Sequence, residues 1–178
     1  LHPEQYGAVV LAVPAPQAVS LLAPVSPAGA AVAASAPMRG SWAVMLRYAA
    51  PLAMPWEGVF INTGPLRWVA RDSSKPGRTG PETWLLHASP EWSDAHMEDD
   101  ADAVTAALIA AFVALGGPAP LAATAHRWRY ADSEPPLALG SWWDASLRLG
   151  MCGDWLNGGK VEGAWLSGRA LAQQVQAA

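Results

Sequence analysis

The residues best placed to do chemistry lie together near the end of the sequence, in Gly153-Asp154-Trp155-Leu156-Asn157-Gly158-Gly159-Lys160-Val161-Glu162-Gly163-Ala164. An apolar, β-like run over 147–152 precedes them, so the segment reads as strand, acidic turn, glycine pair and helix. Gly158 and Gly159 leave the backbone bare where the helix begins, so main-chain N–H groups can approach a ligand closely. Beyond them Ala164, Gly168 and Ala172 recur every fourth residue, which predicts one row of small residues on a helix face. Such a face can pack its backbone closely against a sheet or something flat. A glycine-turned strand–helix unit with no ligand has the same pattern.

Other chemistries fail for want of residues. No Gly-x-Ser-x-Gly elbow is present, since Ser167 lies in Trp-Leu-Ser-Gly. The histidines (His2, His87, His96, His126) show no paired metal spacing, and the one cysteine, Cys152, cannot build a thiolate zinc site. There is no P-loop. A net charge of −4, with no basic cluster longer than Arg127-Trp128-Arg129, argues against nucleic acid and anionic membranes as partners. A single cysteine fits a reducing, cytoplasmic setting. The longest helical apolar run, 103–115, is too short to span a membrane.

The elements that must position these residues follow from patterning. A chain of 178 residues, 52% hydrophobic and 15% charged, can bury a sizeable core as one domain, or one domain plus part of another. The apolar run 6–13 reads as a strand buried on both faces of a parallel sheet, followed by a short helix to about Leu22. A proline-bounded connector holds a helix over 28–34. Strands are expected over 41–48, 58–62, 66–71 and 83–88, the middle pair joined at Thr63-Gly64-Pro65, which predicts an antiparallel sheet. Glu98, Asp99, Asp100 and Asp102 precede an apolar helix over 101–115; they lack the glycine and closing glutamate of a calcium loop and read as a helix start. In the strand over 122–131, alternation sets His126, Trp128 and Tyr130 on one face and Arg127 and Arg129 on the other. The tryptophans, 10 in all, are either walls for a planar ligand or ordinary core.

The terminal segment Gly-Asp, then Gly-Gly-x-Val-Glu-Gly-Ala-x-x-Ser-Gly, resembles the last cofactor-binding segment of FAD-dependent oxidoreductases of the amine-oxidase superfamily. The nearest branch in appearance is the renalase-like proteins. Two further stretches share the likeness: Trp68-Val69-Ala70-Arg71-Asp72-Ser73-Ser74-Lys75-Pro76-Gly77-Arg78, with Asp72 where asparagine is usual, and His126-Arg127-Trp128-Arg129-Tyr130-Ala131. The resemblance implies that Gly153 and Asp154 meet the FAD ribityl chain, that amides near Val161, Glu162 and Gly163 meet the flavin, and that Val13 and Pro14 run beside it. It also implies a substrate pocket with His126, Trp128, Tyr130 and Lys160 as candidates, and Arg71 or Lys75 for a substrate phosphate or carboxylate. A polar solvated loop is the plainer reading of residues 71–78.

The implied architecture is α/β (mixed α+β). Residues 1–37 and 146–178 would belong to a Rossmann-like FAD domain, and 38–145 to an antiparallel substrate-binding sheet with covering helices. The Gly-x-Gly-x-x-Gly turn of the family is absent. The expectation is a C-terminal portion whose partner is an N-terminal FAD-binding half, and which binds FAD weakly or not at all alone. The implied reaction passes a hydride from a reduced substrate, such as an isomeric dihydronicotinamide dinucleotide, to flavin N5, with reoxidation by O₂. An amine oxidase proper is the alternative, although Lys160 stands where those enzymes usually carry an aromatic cage residue. A non-catalytic ligand- or partner-binding domain is the reading from another class.

Overall fold

A computed structural model describes residues 6–178; His2 lies outside them. In chain order the elements are β1 (Val9–Leu11), α1 (Ala15–Leu22), α2 (Pro27–Ala34), β2 (Met38–Tyr48), β3 (Gly58–Phe60), β4 (Leu66–Arg71), β5 (Glu82–Ala88), α3 (Pro90–Ala95), α4 (Ala101–Ala114), β6 (Ala122–Ser133), β7 (Trp142–Asp144), β8 (Leu149–Met151) and α5 (Val161–Ala177). They form a mixed α/β structure that divides into two compact units. One comprises the described residues up to Arg39 together with Asp132–Ala178; the other is Gly40–Ala131. Residues 132–145, grouped by sequence with the antiparallel sheet, therefore pack with the first unit.

The first unit holds a three-stranded sheet in the order β1-β8-β7. β1 runs parallel to β8, pairing Val10 with Gly150, while β7 and β8 form an antiparallel hairpin. The parallel pairing agrees with the sequence reading, but burial on both faces does not. β1 is an edge strand, and Val9 and Val10 are nearly half exposed. Continuous apolarity reports low polarity, not the presence of a neighbour on either face. Small residues let α1 and α2 approach closely: Ala15, Ala18, Ala30 and Ala33 are buried with Leu22 against Met151, Trp155 and Leu156.

The second unit is a five-stranded sheet in the order β3-β4-β5-β2-β6. The β3–β4, β4–β5 and β5–β2 ladders are antiparallel. Strict alternation sorts β5. Glu82, Trp84, Leu86 and Ala88 of β5 are buried, while Thr83, Leu85 and His87 are only half-buried. Their β2 partners divide the same way, Leu46 and Val44 into the core and Met45 outward. The core face packs on Val104, Leu108 and Phe112 of α4. Asp100 starts that helix, its carboxylate accepting from the amides of Asp102 and Ala103, so the acidic run is a helix cap as its spacing indicated. Among the described residues no helix is long and apolar enough to cross a membrane.

Candidate functional site

In the first unit, the chain leaves β8 through Gly153 into a 3₁₀ turn, Asp154–Leu156. The Asp154 carbonyl accepts from the amides of Asn157 at 2.9 Å and Gly159 at 2.8 Å, closing the turn on itself. Gly158 and Gly159 have φ of +84° and +70°, a left-handed path that other residues adopt only with strain. Two bonds fix the turn from outside. Buried Ser167 of α5 accepts from the Gly153 amide through Oγ at 3.0 Å. The indole of buried Trp155 donates to the carbonyl of Val13 at 3.1 Å, one residue before Pro14 opens α1.

Val13 is thus joined to Gly153 and Asp154, distant from it in sequence, through a single bonded turn. Val161, Glu162 and Gly163 form the first turn of α5, with Lys160 as N-cap residue and no side chain capping the amides. An ammonium cannot accept from an N–H, so this helix start keeps its donors and its positive dipole end for something else. The Asp154 carboxylate is half-buried and makes no hydrogen bond or ion pair to another described residue. A carboxylate without a partner beside an uncapped helix start suits a ligand offering hydroxyl donors and an electron-rich edge.

The open face of the second unit carries a groove of about 590 Å³. Ala43 and Met45 of β2, Leu85 and His87 of β5, and His126 and Trp128 of β6 line it. His126 and Trp128 touch edge to face, with ring centroids 4.3 Å apart. His126 and Trp128 share this face of β6. Arg127 lies over Trp42 on the covered side and Arg129 pairs with Glu98. Tyr130 is exposed and does not line the groove, and Lys160 belongs to the other unit. Of the tryptophans on these strands, Trp42 and Trp84 are core, Trp68 packs on Phe60, and both Trp84, fully buried, and Trp128, exposed, line the groove.

Arg71 does not line the groove either. Its guanidinium hydrogen-bonds Glu57 at 3.1 Å and the carbonyl of Leu52, and lies 5.0 Å over the Trp84 ring. Nε stands 3.2 Å from Oε1 of Glu82, near enough for an ion pair but off the line of a hydrogen bond. Glu82 is buried and accepts from the Trp84 indole at 2.7 Å, the Ser73 hydroxyl at 2.8 Å and the Leu52 amide at 3.2 Å. Arg71 therefore fastens the segment between β2 and β3 to the sheet.

The cation that does reach the groove is Arg78, which the sequence reading passed over. Arg78 and Lys75 both pair with Asp72, Lys75 at 2.7 Å. His87 was also missed. Burial holds its ring below the usual histidine range, and the charges of Lys75 and then Arg67 push the same way. Burial pushes the Cys152 thiol up, away from a thiolate nucleophile. Among the described residues no group of three His, Cys, Asp or Glu could hold a metal ion.

No family model matches the sequence. Solved structures do. A protein described as a protoporphyrinogen oxidase from Exiguobacterium sp. 255-15 superposes with a TM-score of 0.74 and 12% identity, over 99% of this chain and 42% of that one. Cyclohexylamine oxidase from Brevibacterium oxydans gives 0.63 at 16% identity, over 94% of this chain and 42% of that one. A putrescine oxidase redesigned for cofactor binding gives 0.60 at 17% identity, over 96% and 43%. The chain shares the fold of these oxidases. It spans less than half the length of each.

Proposed function

We propose that the protein is an FAD-dependent oxidoreductase of renalase-like specificity, in which the first unit supplies flavin contacts and the second recognises substrate. The observation that carries this is the fit of 94–99% of the chain to oxidase folds, with the unpartnered Asp154 and the uncapped start of α5 where the motif resemblance places the cofactor. Asp154 would accept from a ribityl hydroxyl, and the amides of Val161 and Glu162 would stabilise negative charge on the flavin's pyrimidine edge. Gly153, held by Ser167, and Val13, held by Trp155, orient that turn. When bound, the flavin would take a hydride from the reduced substrate and return the electrons to O₂ as H₂O₂. This chain lacks the Gly-x-Gly-x-x-Gly turn, so by itself it would hold FAD weakly or not at all.

The groove favours a reduced nicotinamide dinucleotide isomer over an amine. Asp72, the one carboxylate among its lining residues, is already paired with two cations, leaving no free carboxylate for an ammonium. The amine-oxidase reading has the cyclohexylamine and putrescine oxidase folds in its favour. The visible spectrum of the protein purified from its full reading frame decides. A flavin band bleached anaerobically by dihydronicotinamide isomers, and untouched by amines, supports the proposal. Bleaching by amines alone moves the assignment to an amine oxidase, and a colourless protein that takes up no FAD moves it to a binding domain.

A further inference from the structure

Asp72 opens the 3₁₀ turn after β4, and its side chain is 19% exposed, against 48% for Lys75 and 53% for Arg78. One carboxylate thus sits inside two cations that reach water. Arg78 and Thr83 line the 590 Å³ groove and also a second, more polar cavity of about 420 Å³ formed with Ser73, Gly77 and Thr79. The guanidinium is shared by an apolar, aromatic space and a polar one. Together Asp72, Lys75 and Arg78 leave one net positive charge, and Lys75 and Arg67 both add positive potential at His87 on the groove wall.

We propose that Asp72, Lys75 and Arg78 form a competed anion clamp, taking a ligand that joins a flat ring to a phosphate or carboxylate. Without ligand, Asp72 occupies both cations. The ligand's anionic group displaces it from Arg78, whose planar fork suits a two-oxygen anion, while the ring lies along His126 and Trp128. A half-exposed ion pair is weak enough to exchange in this way. Asp72 is then a specificity-determining residue: it lowers affinity for every anion and offers a cation no free carboxylate. This rests on reading the groove as the substrate site.

The test is a calorimetric titration of the full protein at fixed ionic strength with AMP, benzoate and adenosine. AMP or benzoate is expected to bind, with adenosine weaker than AMP by about ten-fold or more. Binding of AMP alone assigns the anion as phosphate, and of benzoate alone as carboxylate. Arg78→Gln should lose about ten-fold in affinity for the bound anion. Asp72→Asn should gain about two- to five-fold. Weaker or unchanged binding by Asp72→Asn, or equal affinity for AMP and adenosine, overturns the clamp. Lys75→Gln, which keeps Asp72 and Arg78, should bind more weakly than the parent, and no change would also count against it. These titrations need no flavin. Bleaching by dihydronicotinamides without anion selectivity would therefore sink the clamp and leave the oxidoreductase reading standing.

Discussion

The carbonyl oxygen of Asn157 lies 2.0 Å from where a Cβ on Gly163 would stand. The Asn157 side-chain amide also donates to the Gly163 carbonyl at 3.2 Å, so this asparagine grips the first turn of α5 from two directions. The helix buries Gly163, Ser167 and Leu171, one residue out of step with the row of small residues, Ala164, Gly168 and Ala172, expected to make the close contact. The two rows make opposite predictions. Gly163→Ala must move the turn and should cost about 1–3 kcal/mol in urea unfolding. At Gly168 nothing lies within 4 Å of the added methyl group, so Gly168→Ala should stabilise the helix by about 0.5–1 kcal/mol. Equal effects at both positions would refute the assigned packing face.

Local signals read well from sequence because local physics sets them. The acidic residues before α4 and the glycine pair before α5 each mark a helix start whose geometry is decided within a few residues. The groove was half visible. Alternation alone puts Thr83, Leu85 and His87 on one face of β5, and His126 and Trp128 on one face of β6. What periodicity cannot express is that β2 lies between those strands, since strand order depends on contacts distant in sequence. That Arg78 lines the groove while Arg71 turns to Glu82 is hidden from sequence for the same reason. The two look alike in a polar loop, and only the buried Glu82 separates them.

Asp154 offers a separation of binding from folding. Having no partner among the described residues, it can be changed to alanine with little loss of stability, yet a charged acceptor for a flavin hydroxyl would be gone. FAD affinity of the full reading frame should fall about ten- to a hundred-fold. Ser167→Ala should differ, because it strands the Gly153 amide and costs about 1–3 kcal/mol of stability as well. Undiminished FAD binding by Asp154→Ala, read by flavin fluorescence, would remove this residue from the cofactor site.

Glu82 should govern part of the acid stability. Burial alone would raise its carboxyl, but hydrogen bonds from Trp84, Ser73 and the Leu52 amide, with the Arg71 charge, outweigh that and hold it below its ordinary 4.5. A depressed folded-state value means that the stabilisation is complete above the ordinary range and lost as pH falls through the folded value. Glu82→Ala, which strands the buried Trp84 indole and leaves Arg71 only Glu57 and the Leu52 carbonyl, should cost about 1–3 kcal/mol near neutrality. The gap from wild type should narrow below 4.5, and a gap constant with pH would contradict the assignment.

His87 should make anion binding depend on pH, with a sign fixed by its surroundings. Burial first, then Lys75 and Arg67, hold the free ring below 6.5. The other charged or titratable groups lining the groove are Asp72, Arg78 and His126. An anion seated among those cations offsets their repulsion and raises the His87 value, so binding takes up a proton. The added affinity is then fully present below the free value and disappears as pH rises through the bound one. Benzoate serves best, since a carboxylate keeps its charge through this range. Its affinity should rise from about pH 8 to about pH 5.5, approaching one proton taken up per ligand. His87→Gln should flatten that slope while His126→Gln keeps it. A flat wild-type profile, or a slope that survives in His87→Gln, would show that the anion does not sit where His87 can sense it.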